Sequence, residues 1–276
     1  SDGFYLILVS RSGFMIDLLC LLEFYNTYET DEIYHKIAEK MLENFSVVSE
    51  MSISELSDFL FVSQSTIYRF IKMMGYENYN QMKAGQITFL ENYYLQGRYV
   101  SRNANINHFD NYIDYMLKKI HALKEKNIHV QIDQLIELIL SVDEIIFVGM
   151  PMPSFVWRLQ MELVMLKKKT SAFLNPENQH QAIIHAKPNT LIIGIQYLID
   201  SSIFYSNMIK DVMKHQYKSA VIYTSKLASY IKSIDLPIYI DGDNNESDLF
   251  VMEFIFNYIG HRLNMMILDK PDSINL

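Results

Sequence analysis

Residues 52–75 read SISELSDFLFVSQSTIYRFIKMMG. The stretch fits two short helices joined by a tight turn. Ser52 and Glu55 have capping-box spacing: the serine oxygen accepts from a free amide of the first turn, and the glutamate reaches back. Ile53, Leu56, Phe59 and Leu60 follow at helical spacing and predict a buried stripe. Ser63 can cap a second helix, along which Ile67, Phe70, Ile71 and Met74 recur on one face. Gly75 stands where helices often end in a left-handed residue. The opposite face carries Ser65, Tyr68, Arg69 and Lys72, with Gln64 at its N-terminal tip. Hydroxyl, amide and cationic groups suit phosphates and base edges. The pattern is that of a helix-turn-helix; the alternative is an ordinary amphipathic hairpin with a solvated polar face.

Charge changes sign at this point in the chain. Residues 60–102 hold five Lys/Arg (Arg69, Lys72, Lys83, Arg98, Arg102) against two acids, whereas residues 1–59 hold three bases against eleven acids. A basic island in an acidic chain is a phosphate-facing surface of modest size, so binding is expected to be salt-sensitive and carried by few contacts. The net charge of −8 over 276 residues argues against nonspecific coating of nucleic acid or anionic membrane. An apolar fraction of 50% excludes disorder, and the length accommodates two cores. The single cysteine, Cys20, reads as a core residue and permits no internal disulfide, which suits a reducing cytoplasm. No apolar run is long enough for a membrane span. The apolar start at residues 4–22 lacks a basic lead and a cleavage site, and reads as a packing segment rather than a signal peptide.

Residues 14–50 predict two helices divided at Glu29–Glu32, and residues 76–99 a further tyrosine-rich helical stretch. Residues 101–111 read as a linker. Beyond it the period changes. Helices are expected at 112–126, 131–140, 155–168, 202–216 and 248–263. Buried strands are expected at 144–149, 191–195, 220–224 and 237–240, with a shorter one at 171–174. This alternation implies a parallel sheet covered on both faces.

The run from Lys36 to Lys83 resembles the N-terminal domain of the RpiR family of bacterial transcriptional regulators. The matching pieces are IAEKMLENF, SISELSDFL, VSQSTIYRFIKMMGY and YNQMK. Ser63 and Thr66 match the opening of the family's recognition helix, Arg69 and Phe70 its Arg-Phe pair, and Gly75 and Tyr76 its Gly-aromatic stop. Two positions depart from the pattern. Ser57 replaces the usual alanine between the helices. Phe61 lies in the turn where glycine is frequent, so the turn either avoids a left-handed residue or carries strain. Residues 112–265 resemble a SIS (sugar isomerase) domain, mainly in element order. The resemblance implies a multidomain fold class: an all-α, homeodomain-like helix-turn-helix domain at 1–100 and an α/β SIS domain at 112–276. It implies a non-enzymatic, cytoplasmic regulator of sugar or carbohydrate genes, with an operator in double-stranded DNA as partner. Ser63, Gln64, Ser65, Tyr68, Arg69 and Lys72 would contact the DNA. The second domain would form a homodimer or higher homo-oligomer and sense a sugar phosphate or other small-molecule effector. The alternative is a SIS-type sugar-phosphate-binding protein or isomerase.

In a doubly wound sheet the ligand crevice lies at the carboxyl ends of the strands. The family's first crevice loop is rich in glycine and serine; here it reads Gly149-Met150-Pro151-Met152-Pro153-Ser154. Each proline deletes an amide donor, and methionine offers no replacement. The second loop reads Gln196-Tyr197-Leu198-Ile199-Asp200-Ser201-Ser202, and Asp200 would repel a dianion. Ser154, Gln196, Tyr197, Ser201 and Ser202 remain as candidate effector contacts. Gln179-His180-Gln181 reads as a surface loop, with lining of the crevice as the alternative; Lys167–Lys169 read as a solvated helix end, and Trp157 with Tyr93-Tyr94 as core. Met150, Met152, Met161 and Met165 read as an adaptable interface. The eight histidines show no metal-ligand spacing, and no cofactor motif is present.

Overall fold

A computed structural model gives the architecture. It describes residues 17–27, 29, 32–74, 76, 78–83, 108–149, 152–174, 176–197, 212, 217–224, 229–243 and 246–268. The chain divides into two compact units: Ser1–Gln96 with Leu174–Asn178, and Gly97–Phe173 with Gln179–Leu276.

The first unit is helical: α1 (Asp17–Thr27), α2 (Ile33–Glu43), the single turn α3 (Phe45–Val48), α4 (Ile53–Leu60) and α5 (Gln64–Met73). The break expected at Glu29–Glu32 does separate α1 from α2. Residues 79–83 are again helical. Residues 4–16 of the apolar start, the rest of the tyrosine-rich stretch with Tyr93 and Tyr94, and the side chain of Cys20 lie outside what is described. Leu21, Ile37, Met41, Leu56, Ile67 and Phe70 are all buried in one core. Phe70 meets the Phe24 ring edge-on at 5.0 Å and stacks with Tyr34 at 6.0 Å. The Tyr79 hydroxyl donates to the Met51 carbonyl at 2.7 Å, and Lys83 donates to the Glu50 and Met51 carbonyls at 2.7 and 2.9 Å. These bonds fix the entry to α4.

The second unit holds α6 (Phe109–Glu125), α7 (Ile128–Leu140), β1 (Glu144–Gly149), α8 (Phe155–Met165), β2 (Lys169–Ala172), α9 (Pro176–Ile184), β3 (Thr190–Gln196), β4 (Lys218–Tyr223), a 3-10 turn (Ser229–Ser233), β5 (Leu236–Tyr239) and α10 (Glu246–Leu268). The strands lie in the order β2-β1-β3-β4-β5, and every pairing is parallel. All six residues of β1 and all seven of β3 are buried, as the unbroken apolar runs predict. Ile146, Val148 and Ile192 pack with Ile183 of α9. Phe147 and Phe155 close on Phe256 of α10, the second pair at 4.8 Å. No described helix is long and apolar enough to cross a membrane.

Several expectations need correction. Helix α6 begins at Phe109, within the segment read as linker, whose residues 101–107 lie outside those described. Helix α8 stops at Met165 because Lys167 turns left-handed, φ 59°. The lysines after it are not simply solvated: Lys168 donates to the Leu140 carbonyl at 2.8 Å, and Lys169 pairs with buried Glu144. Glu144 also accepts from the Thr190 hydroxyl at 3.1 Å; burial alone would raise its carboxyl, and these donors hold it below the ordinary range. Trp157, read as core, is 45% exposed. Of the helix expected at 202–216, only Val212 is described, and it is helical.

Candidate nucleic-acid interface and crevice

The capping box at α4 is complete. The Ser52 amide donates to Glu55 at 2.7 Å, and the Glu55 amide donates to the Ser52 hydroxyl at 3.3 Å. At α5 the Ser63 hydroxyl accepts from the Thr66 amide at 3.2 Å and shares hydrogen bonds with the Ser65 and Thr66 hydroxyls. Ile67, Phe70, Ile71 and Met74 are buried as the spacing requires, as are Leu56 and Leu60, while Ile53 and Phe59 are half-buried. Gly75 lies outside the described residues, but the Tyr76 amide bonds the Ile71 carbonyl at 3.1 Å, closing the helix end. Ser63, Gln64, Ser65, Tyr68, Arg69 and Lys72 are all exposed. The two serines engage each other, whereas the other four side chains are tied to no described residue.

The turn between α4 and α5 resolves the question left by the sequence. Phe61 is left-handed, φ 55° and ψ 40°. For a residue with a β-carbon this conformation costs about 1–2 kcal/mol. Ser57 holds the turn from both sides: its carbonyl accepts from the Val62 amide at 3.2 Å, and its hydroxyl donates to the Val62 carbonyl at 2.6 Å. The Phe61 ring is 85% exposed, and the Lys40 ammonium lies 4.6 Å from its centroid.

In the second unit the chain steps from β1 outward to β2 and then returns to place β3 on the other side of β1. The crevice expected at this reversal lies at Gly149 and Gln196. Its first loop is built differently from the expectation. Gln179 is no surface residue: it sits on α9, fully buried. Its side-chain oxygen accepts from the Gly149 amide at 3.1 Å, and its nitrogen donates to the Gly149 and Phe173 carbonyls at 2.9 and 2.6 Å. The amide best placed to meet an anion is therefore already bonded within the protein. Met152 and Pro153 are buried, and Pro153 Cδ would lie 3.3 Å from a β-carbon at Gly149. Met150 and Pro151 lie outside the described residues.

Of the candidate effector contacts, Ser154 is exposed, whereas Gln196 and Tyr197 are buried. Burial pushes the Tyr197 phenol well above its usual range, so it remains a neutral donor. Leu198–Ser202 lie outside the described residues. Sequence reasoning missed Thr224, directly after β4. It is 4% exposed, its amide bonds the Gln196 carbonyl at 3.0 Å, and its hydroxyl has no hydrogen-bond partner among the described residues. Gly242 passes so close that a β-carbon there would meet Asp248 Oδ2 at 2.6 Å and would also overlap the Thr224 side chain. Among the described residues no group of three His, Cys, Asp or Glu side chains could hold a metal.

Residues 28–91, which include the capped pair and its turn, match the helix-turn-helix domain of the rpiR family. Residues 28–91 thus form an rpiR-family helix-turn-helix domain. Its fold resembles that of the Vibrio vulnificus NanR protein, solved in complex with ManNAc-6P: 13% identity, TM-score 0.50, covering 93% of this chain and 94% of NanR. The sugar isomerase domain of an RpiR transcription factor from Sphaerobacter thermophilus matches 59% of this chain and 96% of its own, with 14% identity and a TM-score of 0.43. The E. coli CFT073 protein c3406, solved as a ligand complex, matches 60% and 93%, with 13% identity and a TM-score of 0.47. No curated protein matches the chain. The rpiR-type helical domain is thus followed by a parallel five-stranded sheet flanked by helices, a fold shared with the NanR structure.

Proposed function

We propose that this protein is a cytoplasmic, non-enzymatic transcription regulator of carbohydrate genes. In this reading residues 1–100 are the DNA-binding domain, 101–111 the linker and 112–276 the effector and dimerisation domain. Ser63, Gln64, Ser65, Tyr68, Arg69 and Lys72 face the operator. The observation that carries the reading is the exposed polar row of α5, set on a helix whose other face is wholly buried. The protein acts as a homodimer through the exposed apolar residues of α8 and α10, among them Trp157, Met161, Val164 and Phe254. Their exposure supports this, since apolar side chains left in water favour a covering partner. A two-fold operator with half-sites separated by whole helical turns follows.

The crevice binds a small phosphorylated sugar or related effector through Ser154, Gln196, Tyr197, Ser201 and Ser202, with Thr224 beside them. The NanR fold, known with ManNAc-6P, supports the ligand class. With the Gly149 amide engaged, the anion must be met by side-chain hydroxyls more than by the first loop.

The test is selection of duplexes from a random-sequence pool, followed by titration of the selected duplex with Arg69→Ala and Lys72→Ala. Each variant should bind more weakly by about 1–3 kcal/mol, with Lys72→Ala also flattening the salt dependence. Undiminished affinity in both would remove α5 as the reader.

A further inference from the structure

We propose that Phe61 is itself a DNA-contact residue: its ring meets a thymine methyl at the groove edge ahead of α5, while Lys40 binds the neighbouring phosphate. This rests on the DNA-reading role given to α5 and extends it to a residue outside the polar row. Phe61 carries two burdens with no compensation inside the described fold. Its backbone is left-handed, and its ring is 85% exposed. Glycine would remove both burdens, since it adopts this conformation freely and has no ring to leave in water. The Lys40 ammonium lies 4.6 Å from the ring centroid, a weak attraction at an exposed site.

The turn is nevertheless held firmly. Ser57 clasps Val62 through both carbonyl and hydroxyl, so the turn backbone that carries the Phe61 β-carbon is held in place. Phe61 also stands two residues before the Ser63 cap, at the end of the reading helix whose first residues reach base edges in helix-turn-helix proteins. An apolar ring at that place has one apolar group to meet in the major groove, the thymine C5-methyl. Lys40 beside it keeps its ammonium donors available for an oxygen of the adjacent phosphate, because a ring face accepts no conventional hydrogen bond.

The experiment uses the full chain and the duplex that the wild type selects from a random pool. Affinity is measured by fluorescence anisotropy for wild type, Phe61→Ala and Phe61→Gly, on that duplex and on versions with each thymine replaced in turn by uracil, which lacks the methyl. Both variants should bind about tenfold more weakly, the size of one lost base-pair contact. The wild type should be weakened by uracil at one position per half-site, and the variants should be indifferent there. Phe61→Gly should melt no lower than wild type, which separates contact from folding. Lys40→Ala should lower the salt slope by about one. Unchanged affinity in both Phe61 variants, or a loss coupled to no thymine, overturns the proposal while leaving α5 as the reader. A wild type that selects no duplex sinks the DNA-binding reading, and the role of Phe61 with it.

Discussion

On α5, the side chains of Gln64, Tyr68, Arg69 and Lys72 stand exposed and tied to no described residue. At the end of β1, by contrast, the amide and carbonyl of Gly149 are both taken by buried Gln179. One unit leaves its polar groups exposed, and the other bonds them internally. Both sites stand where their architecture places binding, at a reading helix and at a strand reversal. Position in the fold therefore does not decide what a site can hold. The number of donors left unengaged does. The DNA face proposed for α5 needs exposed cationic and hydrogen-bonding side chains, and Arg69, Lys72, Gln64 and Tyr68 are exposed there. A phosphate cradle needs converging amides; in the first loop the Gly149 amide is taken by Gln179 and Pro153 has none.

The largest way to break this contrast is Gln179→Ala. The substitution leaves the Gly149 amide, the Gly149 carbonyl and the Phe173 carbonyl without their bonds in a buried place. Each unmet buried group is costly, and the expected loss is about 3 kcal/mol of stability, read as a lowered urea midpoint. If the midpoint holds, water or another side chain already serves these groups, and the first loop is less closed than its geometry suggests.

Thr224 tests the same contrast with the opposite sign. Its hydroxyl is buried without a partner among the described residues, beside Gln196 and Gly242. A buried, unbonded hydroxyl weakens the empty protein, and Thr224→Val replaces it with a methyl of similar shape. The unliganded variant should gain about 1 kcal/mol. Against a panel of hexose and hexosamine phosphates, a ligand that raises the wild-type melting temperature should raise that of the variant less, because selective binding to the folded state is what lifts it. A valine variant that melts lower shows the hydroxyl to be bonded after all. An undiminished ligand shift removes Thr224 from the effector site.

The difference between the sites also explains what the sequence made legible. The α4–α5 pair could be read because its signals are local: Ser52 with Glu55, Ser63 with Thr66, and a stripe repeating every three or four residues. The strands could be read because both-face burial makes continuous apolar runs. Gln179 could not be read, because its partner Gly149 lies 30 residues away and nothing in Gln-His-Gln marks a buried clasp. Trp157 misled for a related reason, since an aromatic side chain states its preference for burial but not which face of α8 it occupies. Phe61 lay between these cases. The turn was visible, yet whether it was strained depended on Ser57, whose reach to Val62 is a property of the folded turn.

That dependence gives the smallest effect and the finest test. Ser57 stands where alanine is usual and Phe61 where glycine is frequent, and the Ser57 bonds to Val62 span the turn at Phe61. The Ser57 hydroxyl holds the Val62 carbonyl at 2.6 Å, closing a turn that Phe61 would otherwise tend to open. Ser57→Ala alone should cost about 1 kcal/mol, the worth of a part-buried hydrogen bond. In a Phe61→Gly background the turn carries no strain, so the same substitution should cost less. The coupling should be about 0.5 kcal/mol, which urea titration of all four proteins in a double-mutant cycle can resolve. Additive effects would mean that the serine stabilises the turn whatever residue sits at its centre. A loss smaller by about 0.5 kcal/mol in the glycine background would mean that the serine is what permits an aromatic ring to be held out from the turn, ahead of α5.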